Sequence, residues 1–85
     1  MNEEAELKQF LQERNAALLS LNEAKIRAVF RKWNEGQEMP RDTELFWASV
    51  HKAITACTAL PFAFRSRSKA WLAERGLKSL DDGDL

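Results

Sequence analysis

The chain has 85 residues, 45% of them hydrophobic, with three Trp and five Phe, so it is one domain long and has large side chains to bury. Thirteen basic residues balance thirteen acidic ones, and that balance excludes a global field drawing the protein to nucleic acid or to a membrane. Intrinsic disorder is excluded as well, since a disordered chain carries fewer aromatics and more net charge.

Three Gly and two Pro punctuate the sequence, and no run alternates with period two over β-branched residues. The expected fold is all-α: a compact four-helix domain with short loops over residues 1–80, followed by a flexible acidic tail at 81–85. The first helix spans roughly 3 to 18. Asn2 is its N-cap, and Glu3, Glu4 and Glu6 suit the positive end of the helix dipole. Leu7, Phe10, Leu11, Ala17 and Leu18 fall on one face. The second helix opens on a capping box, Ser20 and Glu23, with Leu19 as the staple before it. Ile26, Val29, Phe30 and Trp33 form its apolar stripe, and Gly36 closes it.

The third helix starts at Asp42 or Thr43, after Pro40, and runs to about 59. Phe46, Val50, Ala53, Ile54, Cys57 and Leu60 make the longest and most regular stripe, with Trp47 at its edge, so this helix is expected to be central. The fourth helix begins at Pro61, a residue suited to the first helical position, and ends before Gly76. Gly76 at C′ makes Leu77 C″ and Leu72 C3, the pair that meets in a Schellman motif. Phe64 and Trp71 mark its core face. Short loops imply antiparallel neighbours. The tail, with Asp81, Asp82 and Asp84, frays or folds back on the basic helices as an internal competitor.

Charge is segregated. Glu3, Glu4, Glu6, Glu13 and Glu23 outweigh Lys8 and Arg14 in the first 24 residues, and Lys25, Arg27, Arg31 and Lys32 follow with no acid among them. This pattern favours a dipolar surface, within one molecule or between copies paired head to tail. The stretch PFAFRSRSKAW, residues 61 to 71, tests whether the bases form a phosphate-binding stripe. On a helix Arg65 and Lys69 share a face while Arg67 lies on the far side, so they do not. Arg65 and Arg67 nevertheless sit near a helix N-terminus, where the dipole disfavours cations. The bases of the second helix straddle its apolar stripe, as stems lying along apolar surface do.

Catalytic groups are scarce. The single His51 and single Cys57 cannot close a zinc shell or a disulfide, and no Gly-rich phosphate loop or acid–base pairing appears. No enzyme activity, cofactor or metal is expected. The acidic start lacks a hydrophobic signal core, and the longest uncharged run, residues 53 to 64, is too short to span a bilayer. With no disulfide framework, a reducing, cytoplasmic location follows. Two residues stand out as partner-binding candidates. Arg14 falls in the middle of the first helix's apolar stripe, where it snorkels, pairs with a carboxylate, or meets a partner. Phe62 projects away from the Phe64/Trp71 face. The leading expectation is a small non-enzymatic protein–protein interaction module that binds a protein partner or itself. The alternative is a nucleic-acid-binding domain using Lys25, Arg27, Arg31, Lys32, Arg65, Arg67 and Lys69. A helix-turn-helix is the weaker form of that alternative, because the fourth helix splits its bases and the turn before it lacks Gly.

Overall fold

The structure is a computed structural model that describes residues 3–79. The expected cap at Asn2 and the acidic tail at 81–85 lie outside the described residues. The fold is all-α, as the apolar periodicity predicts. Its helices are α1 (Glu3–Ser20), α2 (Glu23–Trp33), α3 (Thr43–Ala56) and α4 (Phe62–Glu74), and no strand occurs among the described residues. The chain forms two compact units, Met1–Met39 holding α1 and α2, and Pro40–Leu85 holding α3 and α4.

In the first unit α1 buries Ala17 and Leu18 near its end, and α2 buries Ile26. Phe10 meets Trp33 edge-on at 5.4 Å between ring centroids, which joins the middle of α1 to the end of α2. The capping box expected at Ser20 does not form. α1 continues through Ser20, whose hydroxyl donates to the Ala17 carbonyl at 2.6 Å and accepts from the Asn22 amide at 3.1 Å. Leu21 takes the left-handed conformation, φ +49°, and turns the chain. Asn22 is the N-cap of α2 and accepts from the Lys25 amide at 3.0 Å. Two good capping residues compete here, and the later one wins because α1 gains two more helical residues. At the far end of α2, Glu35 is left-handed at φ +54° and Gly36 follows at φ +85°. The Gly36 amide reaches the Arg31 carbonyl at 3.1 Å, so the closure read at Gly36 begins one residue earlier, at Glu35.

In the second unit Asp42 caps α3, accepting from the Leu45 amide at 3.0 Å. α3 supplies Phe46, Val50, Ile54 and Thr55 to the core, more buried residues than any other helix. It stops at Ala56, not near 59. Cys57 is extended, with ψ +93°, and its amide bonds to Ile54. The Leu60 amide then bonds to the Cys57 carbonyl in the turn leading to Pro61. Cys57 and Leu60 are buried all the same, so the apolar spacing persisted through a turn and mimicked a longer helix. Ala53 is exposed rather than part of that face. Pro61 precedes α4 as its N-cap residue instead of opening it, because ψ +145° there is not helical. α4 buries Ser68 and Leu72, and Phe64 and Trp71 are only half-buried beside them. Its end is the Schellman motif read from the sequence. Gly76 sits at φ +70°, and the Leu77 amide donates to the Leu72 carbonyl at 2.9 Å.

Candidate functional site

α3 and α4 each present two residues spaced four apart, so each pair shares a face. From α3 come Trp47 and His51, with ring centroids 6.0 Å apart. From α4 come Trp71 and Arg75, whose guanidinium carbon lies 3.8 Å from the indole centroid. His51 stacks on Trp71 at 4.2 Å and an interplanar angle of 24°. His51, Trp71 and Arg75 stack across the helix pair, and Trp47 leans against His51 at a tilt of 38°. His51 Nδ1 lies 2.8 Å from Ser68 Oγ. Burial first, and then the Arg75 charge, hold the His51 pKa below its ordinary value of 6.5, so the stacked ring is neutral at neutral pH. A serine beside a histidine has the spacing of a nucleophile and its base. Ser68 is only 2% exposed, however, so this contact ties α3 to α4 in the interior.

Beside the stack the two helices leave an open groove of about 520 Å³. Glu44, Leu45, Ala48, Ser49 and Lys52 line it from α3, and Trp71, Arg75 and Leu77 from α4 and its cap. The groove exists because small side chains, Ala48 and Ser49, share its walls with an indole. Leu45 is 59% exposed and Leu77 37% exposed, so the groove offers apolar surface to solvent. Its rim carries two cations, Lys52 and Arg75, against one carboxylate, Glu44. Arg75 is preorganised: its Nη1 donates to the Trp71 carbonyl at 3.1 Å and lies 3.7 Å from Glu74.

No family model, curated protein or solved structure matches this chain.

The first unit has a shallower groove of about 280 Å³ with the opposite rim charge, lined by Glu3, Glu6, Leu7, Phe10 and Trp33. Glu13 stands next to it as the hub between α1 and α2. It accepts from Trp33 Nε1 at 3.0 Å, Gln9 Nε2 at 2.9 Å and Lys32 Nζ at 3.0 Å. These donors, the Trp33 indole foremost, pull its pKa from 4.5 down to about 2.

The partner-binding candidates fall in different units. Arg14 is half-buried on α1. Its Nε and Nη2 donate to Asn15 Oδ1 at 3.2 and 3.1 Å, and its guanidinium carbon lies 5.7 Å from the Phe10 centroid. Phe62 opens α4 at 66% exposed, with the Arg65 guanidinium carbon 5.9 Å from its ring centroid.

The candidate nucleic-acid residues are distributed as follows. Arg27 pairs with Glu23 at 2.8 Å, Arg31 with Glu38 at 3.5 Å and Lys32 with Glu13 at 3.0 Å, while Lys25 lies exposed in the first turn of α2. Arg65 donates from Nε to the Leu60 carbonyl at 3.1 Å, upstream of α4, which accounts for a cation at a helix start. Arg67 and Lys69 are exposed, on different faces of α4. The bases of α2 belong to one unit and those of α4 to the other.

Among the described residues no cluster of His, Cys, Asp and Glu could hold a metal ion, and no helix is long and apolar enough to cross a membrane. The groove residues Leu45, Lys52 and Arg75 were not singled out in the sequence. Two signals point to them: Leu45 lies off the apolar stripe of α3, and Arg75 follows Trp71 at helical spacing.

Proposed function

We propose that this chain is a small, non-enzymatic, cytoplasmic protein–protein interaction module that docks an acidic amphipathic segment in the α3–α4 groove. The observation that carries this reading is the groove itself, with exposed Leu45 and Leu77 beside Trp71 and with Lys52 and Arg75 on its rim. A ligand filling it needs apolar side chains for the leucines and indole, and carboxylates spaced to meet the two cations. Trp and Arg are the residue types that most often dominate binding energy, and here the arginine is already held against the indole.

The reading is tested by titrating the full chain with a model helical peptide of Leu and Glu, following tryptophan emission. Saturable binding is expected, weakened at least tenfold in the Lys52→Glu/Arg75→Glu variant, which corresponds to about 1.4 kcal/mol. Equal binding of a Leu and Lys peptide, or no binding of either, contradicts it. Duplex DNA serves as the competing ligand. Binding through α2 has to displace the carboxylates now paired with Arg27, Arg31 and Lys32, and salt-sensitive saturation with DNA would favour that second reading.

A further inference from the structure

We propose that the segment occupying the α3–α4 groove is the start of α1 from a second copy of the chain. The proposal rests on the reading that the groove takes an acidic amphipathic segment. α2 covers only part of α1. Its last residue, Trp33, meets Phe10 and Glu13, and every residue from Glu3 to Gln9 is exposed. That leaves about two helical turns, roughly 10 Å at 1.5 Å per residue, exposed at the start of α1.

The exposed turns have the required chemistry. Glu3, Glu4 and Glu6 place three carboxylates in the first turn. Leu7 is 57% exposed and shares a helix face with Glu3 and, through the three-residue spacing, with Phe10. Apolar side chains with carboxylates alongside complement apolar side chains with Lys52 and Arg75 alongside. Both halves of the match are on the same chain, so every copy carries a ligand and a receptor. Such an interface joins unlike surfaces, and it either closes reciprocally as a pair or extends from copy to copy.

Sedimentation equilibrium of the full chain, from about 10 μM to 1 mM and at low and moderate salt, reads the inference directly. The wild type is expected to rise above its 9.8 kDa monomer mass with concentration and to fall back as salt increases. Glu3→Lys/Glu6→Lys and Lys52→Glu/Arg75→Glu are each expected to stay monomeric alone. Mixed in equal amounts, the unaltered groove of the first variant meets the unaltered α1 start of the second, and association at least tenfold tighter than in either alone is the predicted result. The milder pairs Glu3→Gln/Glu6→Gln and Lys52→Gln/Arg75→Gln, checked for helicity by circular dichroism, replace any charge-reversed variant that does not fold. A wild type that stays at 9.8 kDa throughout, or that associates without regard to either charge pair, overturns the inference. If that monomer still binds the Leu and Glu peptide through Lys52 and Arg75, the docking reading stands and only the second copy is wrong. If it binds neither, both fail.

Discussion

Glu13 shows how one carboxylate can organise a helix pair. It takes hydrogen bonds from the Trp33 indole, Gln9 and Lys32 together, and its pKa falls to about 2 as a result. A group whose folded pKa is depressed contributes stability above its ordinary pKa of 4.5 and loses it as pH falls from there towards 2. The α1–α2 unit is therefore expected to weaken across that window, and Glu13→Gln is expected to show a shallower dependence. Urea unfolding of both proteins at several pH values between 5 and 2.5 measures this, and parallel curves contradict the assignment. His51 acts earlier in the same descent. Burial disfavours its charged form, so the unfolded imidazole takes up a proton first and stability begins to fall as pH drops through 6.5. Neither side chain's role is visible in the sequence, because Trp33 and Ser68, the partners that define them, lie 20 and 17 residues away.

At the scale of elements, helix ends determined by local chemistry were legible and those determined by competition were not. The Schellman end of α4 needs only Gly76, Leu77 and Leu72 at fixed spacing, and it forms as read. The Asp42 start of α3 is equally local. The α1–α2 junction offers two caps within three residues, Ser20 and Asn22, and sequence spacing alone favours the wrong one. Asn22→Ala is accordingly expected to cost about 1 kcal/mol, the usual loss for a helix cap. Ser20→Ala should cost less, since its hydroxyl bonds only within the end of α1 and to the Asn22 amide. Thermal unfolding of the two variants side by side decides the assignment, and a larger loss at Ser20 would restore the capping box. The end of α3 at Ala56 departs from the apolar spacing for a different reason. Apolar spacing reports burial, and Cys57 and Leu60 are buried in a turn as fully as they would be in a helix.

At the scale of the molecule, composition and periodicity were enough for an all-α chain of four helices, but the groove was not. It depends on where small residues of α3 fall opposite an indole of α4, a relation that no single helix encodes. Arg14 and Phe62, the residues that stood out in the sequence, did so through their position on isolated helices. In the structure Arg14 is engaged by Asn15 and lies near Phe10, while Phe62 remains the most exposed large apolar side chain described. The basic run Lys25, Arg27, Arg31 and Lys32 falls in the same unit as the acidic start of the chain, and the contrast in charge lies between the two grooves: acidic residues line the one on the α1–α2 unit and mainly basic ones the one on the α3–α4 unit, each beside exposed leucine. The most direct test of the docking groove is a ¹H–¹⁵N NMR titration of dilute full-length protein with the Leu and Glu peptide. Shifts concentrated on Leu45, Ala48, Ser49, Lys52, Trp71 and Leu77 are the predicted result. Shifts centred on α2, or no shifts at all, would contradict it.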